Sequence, residues 1–509
     1  MDRSTIFGLL HAGDDEAPAL AAPDSAALTY LALRSQVTRA VKDFNRLGVG
    51  RNDRVAIVLP NGREMATAFL GVACCSTAAP LNPGYKREEF DFYLRDLQAK
   101  VLVVEAGSKS VALEAASDLG IRVIDIEPAL DDGPGAFRLT PRGNAGDQAP
   151  PERPGLAAPA DVALILHTSG TTSRPKIVPL THSNLTASAR NVAGTLALSP
   201  EDRGLHVMPL FHIHGLVAAL LAPLSAGGSV YCTPGFNALK FFGWMEDARA
   251  TWYTAVSTMH QAILTRSHQN RDLIARQPLR FIRSSSASLP VAAIREMEAA
   301  FKSPLIEAYG MTEAAHQMTS NPLPPKERKP GTVGVAAGAD VAIMDVDGKL
   351  LPSGATGEVV IRGAGVTLGY ENNPKANAEA FANGWFRTGD QGFLDAEGYL
   401  TLTGRLKEII NRGGEKVSPR EVDELLMTHP AVMQVVTFAM PHEILGEEVA
   451  AAVVLRDGAR ATEREIRDFA SVHLAAFKVP RKIMFLSEIP RGATGKLQRI
   501  GLAQKLGLA

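Results

Sequence analysis

Thr168-Ser169-Gly170-Thr171-Thr172-Ser173-Arg174-Pro175-Lys176 decides the reading of this chain. It follows an apolar run, Val162 to Leu166, that reads as a buried strand. Hydroxyl, glycine and basic residues fill every position of the nine except Pro175. Such a loop can aim backbone N–H groups, hydroxyls and two cations at an anion such as a polyphosphate. The G-x-x-x-x-G-K-[ST] spacing of a Walker A loop is missing. The same composition also serves a polar surface turn, and the loop by itself does not choose between the two.

The rest of the chain narrows the choice. It has 509 residues, enough for two to four domains. Apolar residues make up 46% and charged residues 21%, the balance of a globular protein rather than a disordered one. The formal net charge of −1 gives no basic excess for nucleic acid and no basic tail for a membrane surface. Cys74, Cys75 and Cys232 form no disulfide framework, and no Cys/His cluster has zinc spacing. Signal-peptide and peroxisomal motifs are missing, and Gly215 to Pro223, the most apolar segment, is too short to span a bilayer. A cytoplasmic location is the simplest expectation. Nothing sets an oligomeric state.

Helical and strand patterns alternate in the first third. Leu31–Leu47 and Glu64–Cys75 read as helices, and Arg54–Leu59, Lys100–Glu105 and Ile121–Asp125 as strands. That alternation predicts an α/β fold with a mainly parallel sheet. Asp131–Pro159, dense in Pro and Gly, reads as a surface loop. A second α/β stretch runs to Pro324, and residues 331–402 read as an antiparallel, β-rich subdomain. Beyond Lys407 a small α+β unit is expected, with helices at Val417–Met427 and Glu463–Leu474 and a strand at Val432–Ala439. The expected domains are therefore 1–406 and 407–509.

Four further motifs carry chemical potential. Glu307-Ala308-Tyr309-Gly310-Met311-Thr312-Glu313 offers a ring that can cover a purine, a hydroxyl for a phosphate oxygen and a carboxylate suited to Mg²⁺. Gly384-Trp-Phe-Arg-Thr-Gly-Asp390 reads as a Gly-Asp turn placing a carboxylate at a strand end, within reach of ribose hydroxyls. Gly404 to Gly414 is rich in Arg, Lys and Gly, and Pro490 to Lys496 puts a lysine at the tip of a Gly-rich loop. Each motif alone also has an ordinary structural reading: a buried tyrosine, a local Asp turn, a solvated lysine.

In this order and spacing the motifs closely resemble the adenylate-forming superfamily of acyl-CoA synthetases, adenylation domains and luciferases, from about Ala27 to Arg499. The resemblance implies a large N-terminal domain, a small mobile C-terminal domain, and ATP, Mg²⁺ and CoA as cofactors. A small-molecule carboxylate would attack the α-phosphate of ATP to give acyl-AMP and pyrophosphate, and the thiol of CoA would then displace AMP. Thr168, Ser169, Gly170, Thr171, Thr172 and Lys176 would hold the β- and γ-phosphates. Ile177 stands where relatives usually have Gly. Ser286, Ala287, Ser288, Glu307 and Ala308 would border the nucleotide, with Tyr309 stacked on adenine. Thr312 would contact the α-phosphate and Glu313 would hold Mg²⁺. Asp390 and Arg405 would bind ribose, and Lys496 would bridge the acyl carboxylate and α-phosphate. Lys407 matches the hinge, Gly413 and Gly414 the pantetheine passage, and His212 the aromatic gate.

The acyl pocket indicates the acid. Arg283-Ser-Ser-Ser-Ala-Ser-Leu-Pro290 replaces the small apolar lining of many relatives, and Ala314-Ala-His316 follows the Thr-Glu pair. Hydroxyls and imidazoles left unpaired against a fatty chain would be costly, so a short acid with a second polar group is expected. These stretches, with Leu210-Phe-His-Ile-His-Gly215, are similar to oxalate–CoA ligases. Oxalate is therefore the expected substrate, with His214, Ser286, Ser288 and His316 as candidates for its distal carboxylate. A medium-chain fatty or aryl acid–CoA ligase and an acyl-AMP ligase that loads a carrier protein are the alternatives.

Overall fold

The computed structural model describes residues 3–129, 134–143, 149–168, 175–490 and 499–508. Two large sheets dominate the first part of the chain. One runs, edge to edge, Phe137–Pro141, Arg122–Pro128, Val101–Glu105, Arg54–Val58, Thr77–Pro80, Val162–Thr168 and Lys176–Thr181. Its interior pairs are parallel and both edge pairs antiparallel. The parallel interior matches the apolar runs read from the sequence, because strands covered on both faces need apolar side chains throughout. Val55, Ala56, Ile57, Val101, Leu102 and Val103 are all fully buried.

The expectation of a structureless loop over Asp131–Pro159 fails at Phe137–Pro141, which pairs antiparallel with Arg122–Pro128. Only Phe137 and Leu139 alternate inward from this strand, too few positions to register as a period.

The second sheet has a parallel centre built from Ser229–Cys232, Arg203–His206, Trp252–Ala255, Phe281–Ser284 and Leu305–Met311. His316–Ser320 returns antiparallel beside Leu305–Met311. The N-terminal strand Pro18–Ala22 joins this sheet beside Ser229–Cys232. The helix Tyr30–Arg46 starts at Thr29, whose side chain accepts the Ala32 N–H, and buries Leu33, Val37, Val41 and Phe44 on one face. The apolar run around Gly215 forms the buried π-helix His214–Leu221. Among the described residues no helix is long and apolar enough to cross a membrane.

The β-rich subdomain is antiparallel: Asp340–Met344, Gly357–Arg362, Trp385–Leu394 and Leu400–Arg405 pair in that order. The last part of the chain packs the hairpin Val432–His442 and Gly446–Leu455, with Lys482–Phe485 alongside, against the helices Pro419–Leu426 and Glu463–His473. Thr462 and Glu465 form a capping box at the start of the second helix. The apolar clusters of this part begin at Ile410 and share no residue with those before it.

Candidate active site

Three groups of side chains lie around the C-terminal ends of the parallel strands, where open α/β sheets present their ligands. The first surrounds the polar loop. Thr168 ends the last interior strand of the first sheet and Lys176 begins the edge strand beside it, and the two face each other in register. Ser169, Gly170, Thr171 and Thr172 lie outside the described residues. The Lys176 ammonium sits over the Tyr370 ring, 4.3 Å from its centroid. The Tyr370 hydroxyl donates to Glu313 Oε1 at 2.9 Å. Burial pushes the Glu313 carboxyl above its ordinary range, opposed by that hydrogen bond and by the charges of Arg405 and Lys176. Lys176, Tyr370 and Glu313 thus form one connected unit beside half-buried Thr312. Nothing in the sequence flags Tyr370, because it reaches Glu313 only through the fold.

No three His, Cys, Asp or Glu side chains converge as a metal cage among the described residues. One buried carboxylate is nonetheless the donor set Mg²⁺ uses when substrate phosphates and water complete its shell.

The second group gathers at the β-rich subdomain. The Tyr309 hydroxyl donates to Asp390 Oδ2. Arg405 Nε stands 2.8 Å from Asp390 Oδ1, and the two residues are register partners across neighbouring strands. The expected Gly-Asp turn at a strand end is corrected here: Asp390 lies within the strand Trp385–Leu394. Gly389, at φ +73°, lets the strand continue through that point without a turn. Glu307 is buried, and its Oε2 accepts the Gly331 N–H at 3.0 Å. Burial pushes its carboxyl up to about 7. Ala308 is buried opposite Ser320.

The third group is the polar pocket. His214 and His316 stack with ring centroids 4.8 Å apart. His214 Nδ1 is 3.1 Å from Ser286 Oγ, and its Nε2 is 2.7 Å from Thr254 Oγ1. Burial, with the nearby His316 and Arg283, holds the His214 pKa well below the ordinary histidine value. Arg283 is fully buried behind this pair. Its Nη1 donates to Thr254 Oγ1 at 3.3 Å and its Nη2 to Gln317 Oε1 at 3.1 Å. Its Nε has no hydrogen-bond partner, and no carboxylate pairs with it, among the described residues. Burial lowers its pKa to about 9. Ser286 and His316 both hold positive φ, +69° and +105°, as does Ala315 at +48°. Strain of this kind concentrates where side chains are being aimed.

Ser288 does not join the pocket. It is exposed, and its hydroxyl meets Arg420 at 3.0 Å and Glu424 at 3.4 Å on the helix Pro419–Leu426. Ala287 beside it is exposed. His212 is half-buried, its ring centroid 4.7 Å from that of Phe211. Lys407 is exposed in the turn after Leu400–Arg405. Gly413 and Gly414 form the turn between Ile410–Arg412 and Glu415–Val417, at φ +58° and +99°. Lys496 lies outside the described residues. Arg283 carries a sequence signal: a cation directly after the apolar pair Phe281-Ile282 of a strand and before the serine run.

Residues 11–371 match the family described as AMP-binding enzyme, and residues 421–496 match the AMP-binding enzyme C-terminal domain. This chain belongs to the AMP-binding enzyme family. It is 44% identical to the oxalate–CoA ligase of Arabidopsis thaliana over 512 residues, covering 99% of each protein. It is also 44% identical to the oxalate–CoA ligase of Saccharomyces cerevisiae, over 90% of this chain and 87% of the relative. The ATP-bound crystal structure of MatB from Rhodopseudomonas palustris superimposes with a TM-score of 0.87 at 29% identity, covering 99% of this chain and 98% of that one.

Proposed function

We propose that this protein is an ATP-dependent carboxylate–CoA ligase that works through acyl-AMP and takes oxalate as its acid. The observation that carries the choice of acid is the buried polar pocket of His214, His316 and Ser286, and the two oxalate–CoA ligase relatives support it. A hydrocarbon chain there would strip this polar pocket of water and offer it no hydrogen-bond acceptor, whereas oxalate's second carboxylate would supply one.

The difficulty in the first half-reaction is bringing a carboxylate up to a polyphosphate. Thr168 to Lys176 would bind the β- and γ-phosphates and Thr312 the α-phosphate. Glu313 would hold Mg²⁺, which neutralises phosphate charge when bound. Tyr309 would cover adenine while Asp390 and Arg405 accept and donate to the ribose hydroxyls. Lys496 would place its ammonium between the acyl carboxylate and the α-phosphate. The separate apolar clusters on the two sides of Lys407 support a domain boundary there, with 407–509 rotating between half-reactions. That rotation would bring Gly413 and Gly414 to the pantetheine path, with His212 as its gate. Three buried free cysteines fit a reducing compartment, the cytoplasm.

The test is CoA-dependent AMP formation from Mg·ATP with oxalate, malonate, acetate, octanoate and a hydroxycinnamate. Strong preference for oxalate is expected. Preference for octanoate or the aromatic acid would remove the oxalate reading, and adenylation without CoA dependence would favour a carrier-loading enzyme.

A further inference from the structure

The third group of side chains is a chain of donors with a cation at its head. Arg283 has only N–H groups to offer, so Thr254 Oγ1 accepts from Nη1 at 3.3 Å. Thr254 Oγ1 also lies 2.7 Å from His214 Nε2, and His214 Nδ1 lies 3.1 Å from Ser286 Oγ. A neutral imidazole carries one proton, so two arrangements are possible. If Nε2 carried it, Thr254 would accept from both Arg283 and His214, and its own buried hydroxyl proton would have no acceptor among the described residues. Nε2–H would also face the Arg283 Nη1 donor 3.5 Å away. If Nδ1 carries it, Thr254 donates to Nε2, Nδ1–H donates to Ser286, and of the hydroxyl and imidazole protons along the chain only that of Ser286 remains to be placed. Ser286 is half-buried rather than sealed, and is held at φ +69°. The second arrangement leaves the unsatisfied proton at the one position a ligand can reach.

We infer that Arg283 and Thr254 are positioning residues that polarise a one-way relay, Arg283 to Thr254 to His214 to Ser286, so that the Ser286 hydroxyl is delivered as a donor to the acyl substrate's second, anionic group. This rests on the acyl-pocket reading proposed above. Selectivity then comes from hydrogen-bond direction as well as from shape. An acid that cannot accept from Ser286, such as acetate, leaves that donor unmet. The stack of His316 on His214 keeps the imidazole plane aligned with both hydroxyls.

The inference is tested first without substrate, by ¹⁵N NMR of histidine-labelled full-length protein, with the His214 signal assigned by its loss in His214→Gln. The Nδ1–H tautomer is expected in the wild type and in Thr254→Ser. In Thr254→Val the directing hydroxyl is gone, and a shift toward Nε2–H is expected. Kinetically, Thr254→Val and Arg283→Met should each raise the oxalate KM by about 10–100-fold. The ATP KM should stay within about twofold, and Thr254→Ser should restore most of the loss. If Arg283→Met does not fold, the isosteric Thr254→Val carries the test alone. An Nε2–H tautomer in the wild type, or an unchanged oxalate KM in Thr254→Val, would overturn the relay. A wild type that shows the Nδ1–H tautomer but ignores oxalate would instead overturn the choice of acid, with the relay upheld.

Discussion

Replacing Gly310 with alanine should disable the enzyme through the backbone alone. Gly310 pairs with Gln317 at a bulge between the strands that carry Tyr309 and His316. A Cβ at position 310 would stand 1.6 Å from the His316 carbonyl oxygen and 2.5 Å from its carbon. Both are backbone atoms, so no side chain can rotate away. Restoring even a 3.0 Å contact requires the strands to part by about 1.4 Å. Tyr309 lies one residue before the clash and Thr312 and Glu313 shortly after, while His316 is the clashing residue itself. Overpacking on this scale costs about 1–3 kcal/mol. A misplacement of about 1 Å in a positioned site can cost about 10²-fold in rate. Gly310→Ala is therefore expected to fold with a melting temperature several degrees lower and to lose about 100-fold in kcat/KM for oxalate-dependent AMP release. Thermal unfolding and a coupled AMP assay measure the two effects. Wild-type values in both would refute the argument that this close approach holds the nucleotide and acyl groups in place.

Further outcomes follow from the same geometry. Tyr370→Phe removes the hydroxyl that holds Glu313; it should cost about 1–2 kcal/mol in stability and raise the Mg²⁺ concentration giving half-maximal adenylation, seen in denaturant melts and Mg²⁺ titrations. Glu307 is pushed by burial from its ordinary 4.5 to about 7, so its stabilising contribution is full below about pH 4.5 and is lost as pH rises through about 7. Glu307→Gln should accordingly gain on the wild type between those values, by up to about 3 kcal/mol, and hold a constant lead above them in urea unfolding at stepped pH. Lys496→Ala should slow acyl-AMP formation by about 10²–10³ while leaving thioester formation from supplied acyl-AMP within a few-fold, and equal loss in both half-reactions would contradict its assignment to the first.

Much of the architecture was legible because it is local. The apolar runs at Arg54–Val58 and Val101–Glu105 and the 3.6-residue spacing in Tyr30–Arg46 depend on near neighbours, and they appear where the periodicity predicts them. Phe137–Pro141 was hidden because an edge strand with two inward residues carries almost no period. The Gly389-Asp390 pair reads as a turn in the sequence, but register with Arg405 on the next strand keeps Asp390 in the sheet. The pocket divides the same way. His214, Ser286 and His316 are legible because their stretches carry hydroxyls and imidazoles where many relatives have small apolar residues. Ser288, two residues from Ser286, points instead to Arg420 and Glu424 on a helix more than a hundred residues downstream.

By itself, then, the amino-acid sequence determined the order of the elements, the loops that carry glycine, hydroxyl and charge, and the class of chemistry those loops can perform. Only the tertiary structure decided which of these groups meet: Arg283 with Thr254 and Gln317, His214 with Ser286, and Tyr370 between Glu313 and Lys176. The reason is physical. Helix and strand periods are set by residues a few positions apart, whereas these contacts join residues 29 to 72 positions apart within one chain, or more, and exist only once distant strands have paired, as Thr254 does with Arg283, and the elements over them have packed. Burial then sets the strength of each contact, because a hydrogen bond withdrawn from water cannot be replaced by it.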